Sequence, residues 1–261
     1  MGLGDDIIFL GKAEEVHKET GKKIVPLYHA GWNTLYDNVE FITKIKDENS
    51  LTMNARDTDK PSDIHVDYYT KGREQTILGE RMIWRPFKPS KYKVRLTEAE
   101  LDTNTFTDFI LINPDYKSTF FSRNKDWGFK KYQELTDRLA EDGHRVVRIK
   151  PGGQYIEPDL DNAVNVHSND LKKSIAIMSR AKLGITYHGF VTHILGGYSI
   201  PAVDIQGGIT DPSIMSYDNH ITLGYEHPRT PCGATYPCTH CDEANEYITV
   251  DMVYEACKKL L

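Results

Sequence analysis

The sequence predicts an α/β chain whose second half is a parallel sheet flanked by helices. Short apolar runs alternate with stretches of helical spacing after residue 108, Gly143 stands where the clearest of those helices must stop, and the intervening stretches are long enough to cross over between parallel strands.

Each element follows from its residues. Asp6 to Thr20 has a helical pattern that ends at Gly21, and Lys23-Ile-Val-Pro-Leu-Tyr28 is the strand after it. Asn49 to Lys71 is polar and poorly periodic. The polar run Glu98 to Thr107 marks a boundary, dividing the chain into residues 1–105 and 106–261. Phe109-Ile-Leu-Ile-Asn113 is a buried strand, Tyr132, Leu135 and Leu139 mark a helix face, and Arg145-Val-Val-Arg-Ile149 returns as a strand. A second unit follows: a helical stripe at Leu171, Ile175 and Met178, the strand Leu183-Gly-Ile-Thr-Tyr187, a short helix Phe190 to Tyr198, and the strand Pro201-Ala-Val-Asp-Ile205. Thr249 caps a final helix, Val250 to Leu260.

With 261 residues, 39% hydrophobic and 27% charged, the chain can bury one large core or two small ones. It contains no apolar run of about eighteen residues, and Met1 passes into Gly-Leu-Gly-Asp-Asp without a basic region and hydrophobic stretch, so no membrane span or signal peptide is expected and a cytoplasmic location is. A formal charge of −6 weighs against a protein that coats nucleic acid but leaves room for a local basic patch.

Five segments can carry chemistry. Gly2-Leu-Gly-Asp-Asp6 places acids at a helix start, where Asp5 or Asp6 either projects into a cleft beside an anion or only caps the helix. Arg123 and Lys125 fall between a strand and the next helix, where a cation can neutralise a diphosphate; the alternative is a solvated loop with Trp127 folded onto the core. His188-Gly-Phe-Val-Thr-His193 lies at another strand-to-helix turn, offering Gly189 for close approach, free N–H groups, the Thr192 hydroxyl and His193; Gly207 and Gly208 follow the next strand on the same edge. Lys71 to Arg95 holds eight lysines and arginines against two glutamates, with aromatics interleaved. Arg81, Trp84, Arg85 and Lys88 there are either a polyanion-binding stripe or part of a solvated, proline-broken loop. Cys232, Cys238 and Cys241 are too few for a disulfide scaffold; they could hold a structural zinc or remain reduced, partly buried thiols.

In this order the segments resemble the ADP-heptose:lipopolysaccharide heptosyltransferase family of glycosyltransferases. The resemblance implies the GT-B fold, two Rossmann-like domains facing across a cleft. Gly2-Leu-Gly-Asp5 is similar to the family's glycine-aspartate motif, whose Asp is the proposed general base. Lys125-Asp-Trp127 is similar to its Lys-Trp-Pro segment, whose Lys contacts donor phosphate, and Thr186 to Pro201 to the stretch that binds the donor nucleotide. The departures are Tyr187 for Asp, His188 for Thr and Gly128 for Pro, and the family's strand before the glycine-aspartate motif has no counterpart, so a reduced N-terminal domain is expected.

Residues and resemblance together predict inverting glycosyl transfer from a nucleoside-diphosphate sugar, with no cofactor required for catalysis. Asp5, or failing that Asp6, would be the base. Arg123, Lys125 and the turn at His188, Gly189, Thr192 and His193 would hold the donor. The acceptor expected is a hydroxymethylated pyrimidine of modified phage DNA, gripped through Arg81, Trp84, Arg85 and Lys88, or a lipopolysaccharide-type saccharide. The alternative from a different class is a non-catalytic nucleotide-sugar binding protein. A dehydrogenase is set aside, because no G-x-G-x-x-G follows any strand.

Overall fold

The strands form two separate parallel sheets and a hairpin in the computed structural model, which describes residues 2–27, 34–54, 61–65, 69–102, 106–116, 120–150 and 157–261. Helix α1 spans Leu3–Thr20, starting before the predicted Asp6 because Gly2, with extended backbone, already acts as N-cap. It stops at Gly21, whose φ of 70° is left-handed and whose N–H reaches His17 O. Strands β1 (Lys23–Pro26), β2 (Ser50–Asn54) and β3 (Ile64–His65) pair in that order as a small parallel sheet. Thus the polar stretch 49–71, which shows no period, still contains strands; residues 28, 55–60 and 66–68 of the predicted segments lie outside the described ones.

The first part of the basic stretch is an antiparallel hairpin, β4 (Thr70–Thr76) with β5 (Gly79–Trp84), while residues 85–95, with Arg85 and Lys88, are the irregular, proline-broken segment. The return strand of the hairpin is stitched to the far end of the chain: Met82 N donates to Gly233 O at 2.8 Å and Thr235 N to Glu80 O at 3.1 Å. A short helix, α2 (Glu98–Asp102), follows.

The second half alternates as predicted: β6 (Phe109–Asn113), α3 (Phe120–Arg123), α4 (Phe129–Glu141), β7 (Arg145–Lys150), β8 (Ala163–His167), α5 (Leu171–Met178), β9 (Leu183–Tyr187), α6 (Phe190–Gly197), β10 (Ala202–Gly207), β11 (His220–Gly224), α7 (Thr239–Tyr247) and α8 (Val250–Leu260). The last is capped by Thr249, whose hydroxyl accepts from Met252 N. Strands β8 and β11, the two edges, and helix α7 are elements the spacing does not announce. All six strands are parallel, in the order β11-β10-β9-β6-β7-β8. This is the doubly wound order of a dinucleotide-binding sheet.

Alternation along β6 sorts the two faces. Ile110 and Ile112 join Leu135 and Leu139 of α4 and Val253 of α8 in one apolar cluster, while Phe109 and Leu111 join Ile175 of α5 and Ile194 of α6 in another. The second cluster does not stop at the sheet's own helices. It continues into Ile7, Phe9 and Leu10 of α1 and Ile24 of β1, so residues before 105 and after 106 share one core. Between them runs the strap Ser90 to Leu96, which rests on α5 and α6 through Lys172 Nζ to Arg95 O (2.6 Å) and Tyr198 OH to Val94 O (2.8 Å). Gly197 makes this possible: a Cβ there would lie 2.0 Å from Tyr92 O. Among the described residues no helix is long and apolar enough to cross a membrane.

Since backbone sits where the new methyl must go, Gly197→Ala should lower unfolding stability by about 1–3 kcal/mol in urea titration. An unchanged midpoint would contradict the packing of the strap.

Candidate functional site

The chain leaves β6 toward β7 and β8 on one side and leaves β9 toward β10 and β11 on the other, so the connections from the carboxyl ends of these paired strands diverge. A switch point, where the connections from neighbouring strands run to opposite sides while the strands themselves stay paired, is where open α/β sheets hold ligands. A cleft of about 720 Å³ opens there, floored by Asn113, Asp115, Ile149, Tyr187 and His188 at or just beyond the ends of β6, β7 and β9.

Two helices aim their N-termini at this cleft. Gly2, Leu3 and Gly4 at the start of α1 and Gly189, Phe190 and Val191 at the start of α6 line it side by side. Neither helix has a side-chain cap at its first residue, so each presents N–H donors and the positive end of its dipole. The first turns touch: Gly4 lies against the His193 ring, where a Cβ would come within 3.0 Å of Cδ2. Asp5 lines the cleft on the α1 side, its Oδ2 accepting from Gly2 N at 2.7 Å and its Oδ1 from the Tyr69 hydroxyl at 2.5 Å. Tyr69 is braced in turn by stacking on Trp84, with ring centroids 5.7 Å apart.

Lys125 enters from the β6 side, donating to His188 O at 3.1 Å with its ammonium 4.5 Å from the Phe121 ring centroid. Burial lowers its pKa to about 8, against the opposing attraction of Asp5 and Asp204. Burial also holds both histidines neutral: His193 falls to about 4, and His188 lies well below its usual value, pushed further by the nearby Lys125 charge. His193 Nδ1 is 2.9 Å from the Tyr217 hydroxyl, whereas the buried His188 Nδ1 has no hydrogen-bond partner among the described residues. Beneath the turn, Asp204 is raised to about 7 by burial. The cleft therefore combines neutral histidines with the Lys125 ammonium and two helix N-termini, an arrangement suited to an anion.

Of the residues singled out from sequence, Asp5, Lys125, His188, Gly189 and His193 come together here. Several others do not line the cleft. Asp6 is on the buried side of α1, where Tyr36 OH donates to its Oδ1 at 3.0 Å. Thr192 is buried and turns its hydroxyl inward to Tyr187 O and Asp204 Oδ1. Arg123 is exposed, and Gly207 and Gly208 are covered by Asn245, Ala244 and His240 of α7. The basic stretch is tied to its own protein: Arg81 Nε to Cys232 O (2.9 Å), Arg85 Nη2 to Thr70 O (3.2 Å) and Lys88 to Asp218 (2.6 Å), with Trp84 packed on Tyr69 rather than open to a base. Trp127 is in the core, its indole N–H donating to Ile248 O.

Other groups at the cleft were not expected there from the sequence, which marked Arg73 only as one of the eight cations of the basic stretch. Tyr69 reaches Asp5 across 64 residues, and Arg73 and Met82 are brought to the rim by the hairpin. Asp115 accepts both ends of the Arg148 guanidinium, at 2.6 and 3.0 Å, in a fully buried ion pair.

No family model matches the chain, and no curated protein matches it in sequence. Its fold is found among solved glycosyltransferases. The glycosyl transferase family 9 protein of Veillonella parvula matches 100% of this chain and 94% of its own, with a TM-score of 0.66 and 13% identity. ADP-heptose lps heptosyltransferase II of E. coli matches over 64% of this chain and 53% of its own (TM-score 0.49, 15% identity). The iron-containing dodecameric glycosyltransferase TibC of enterotoxigenic E. coli does so over 68% and 49% (TM-score 0.48, 16% identity). The chain spans about half the length of these last two. At such identities the likeness to the family 9 protein establishes the α/β fold expected from the sequence.

Lys125 is charged below its value of about 8 and loses the charge above it. Binding of sulfate, whose own charge is constant in this range, should weaken as pH rises through that value, followed by nuclear magnetic resonance titration. Lys125→Met should abolish the step; an unaltered step in that variant would remove Lys125 from the anion site.

Proposed function

We propose that the protein transfers a sugar from a nucleoside-diphosphate sugar to an acceptor hydroxyl with inversion, residues 106–261 holding the donor and residues 1–105 serving the acceptor side. The observation that carries this reading is that Asp5, on the first turn of α1, Lys125 and the first turn of α6 line one cleft. The fold shared with the family 9 protein supports it.

The diphosphate would lie against the α6 N-terminus with Lys125 on its oxygens. Asp5 would take the proton of the acceptor hydroxyl while that oxygen attacks the anomeric carbon from the face opposite the diphosphate. The new C–O bond forms as the bond to the diphosphate breaks; the proton ends on Asp5 and the leaving negative charge on the diphosphate, where Lys125 and the helix end stabilise it. This assigns the positive charge to Lys125 rather than to a divalent ion. Tyr69 acts as a positioning residue, since its short bond to Oδ1 and the Gly2 bond to Oδ2 leave the carboxylate one orientation.

For the acceptor, the internal ties of Arg81, Arg85 and Lys88 and the stacking of Trp84 on Tyr69 favour a saccharide hydroxyl over DNA. The rim formed by Tyr69, Arg73 and Met82, polar with one aromatic and one apolar face, suits a sugar ring.

In an assay of nucleoside-diphosphate release from a panel of nucleotide sugars and saccharide acceptors, Asp5→Asn should reduce kcat by about 100-fold to 10,000-fold with donor affinity preserved. A wild type that binds donor but neither transfers nor hydrolyses it would contradict the reading. Tyr69→Phe should lower kcat by about 10-fold while leaving donor KM unchanged, since a hydrogen bond to a charged group contributes roughly 1.5–3 kcal/mol. Equal loss in both parameters would reduce Tyr69 to a packing role. Acceptor binding that falls steeply with salt would restore the DNA alternative.

A further inference from the structure

The structure assigns a thiophilic metal site to Cys232, Cys238 and Cys241, and we infer that a bound zinc(II) or similar ion fastens the β4–β5 hairpin and the cleft wall behind Asp5 and Lys125. The site takes no part in the proposed transfer chemistry.

The three sulfurs come from a 10-residue span and lie within 4.8 Å of one another, with Cys232 Sγ 3.8 Å from Cys238 Sγ and 3.2 Å from Cys241 Sγ. Zinc thiolate bonds of about 2.3 Å at tetrahedral angles separate sulfurs by about 3.8 Å, so small side-chain adjustments suffice to close on an ion. Cys238 is the N-cap of α7 and Cys241 lies in its first turn, with Cys241 N donating to Cys238 O at 3.0 Å. A helix N-terminus favours the thiolate form that a metal requires. Cys232 and Cys241 are buried and Cys238 partly so, which protects such a centre while leaving a side for a fourth ligand; no fourth His, Cys, Asp or Glu joins the group among the described residues.

The surroundings show what the ion would hold. Cys232 O accepts from Arg81 Nε at 2.9 Å, and the adjoining Gly233 and Ala234 pair with Met82 and Arg81 of β5. The sulfurs pack with Ile209 beneath Trp84 and Phe121. Trp84 backs Tyr69, which bonds Asp5, and Phe121 lies under the Lys125 ammonium. One ion would thus tie together β5, α7 and the two side chains that support the opposed polar groups of the cleft.

The test is metal content and cobalt(II) spectroscopy on the intact protein. Chain produced in zinc-replete medium should carry about one thiophilic ion per molecule, and cobalt(II) added to the apoprotein should give thiolate charge-transfer absorption with the strong visible bands of a tetrahedral site. Cys238→Ser should lose the charge-transfer band, whereas Cys257→Ser, altering a thiol in the separate core under α8, should retain it. Chelation should speed amide exchange at Met82 and Thr235 at least tenfold relative to amides of β6. Wild type that holds no metal and gives no charge-transfer band would overturn the proposal, as would a Cys232–Cys241 disulfide in freshly isolated protein. Metal loss that leaves Met82 and Thr235 exchange unchanged would overturn the fastening role.

Discussion

The contact between the first turn of α1 and the first turn of α6 sets up the rest of the molecule. Gly4 lies flush against His193, and the strap at Tyr92 lies flush against Gly197, so two helices from different halves approach closely enough to share one core. The same contact points two helix dipoles at one space. Converging positive ends repel each other mildly, and the molecule limits the cost by keeping His188 and His193 neutral and by depressing Lys125. The remaining carboxylate of the floor, Asp115, is matched by Arg148. The Lys125 ammonium and the two helix ends then give the cleft its positive side, which is the basis for proposing an anion there.

Asp5 belongs to this arrangement for the same reason. Placed at the third helical position, it receives the Gly2 amide, and the packing of α1 onto α6 carries it to the wall facing Lys125. Asp6, its neighbour, points about 100° further round the helix by the geometry of 3.6 residues per turn, and so falls into the core against Tyr36. One residue of separation therefore distinguishes a group that lines the cleft from one committed to the core.

The fold was legible where burial is two-sided. Phe109–Asn113 and Leu183–Tyr187 are central strands, and both bounds agree with their apolar runs. The edge strand Ala163–His167 has a half-exposed pattern interrupted by Asn165, and β3 is two residues long, so neither carries a period to detect. The turn at His188 was legible because it directly follows β9, whereas Lys125 lies in the turn between α3 and α4. Tyr69, Arg73 and the Asp115–Arg148 pair were not legible, since each depends on contacts remote in sequence. The basic stretch misleads in the opposite direction: its charges are conspicuous in the sequence, but Arg81 and Arg85 bond backbone carbonyls of the chain and Lys88 forms a surface ion pair with Asp218.

The central claim is that the switch-point cleft between α1 and α6 holds a diphosphate facing Asp5. A crystal structure with a nucleoside diphosphate bound tests it most directly. The account predicts the terminal phosphate within hydrogen-bond distance of Lys125 Nζ and the backbone N–H groups of Phe190 and Val191, on the side of the cleft opposite Asp5. A nucleotide seated away from Lys125, for instance against Gly207 and Gly208 under α7, would contradict it.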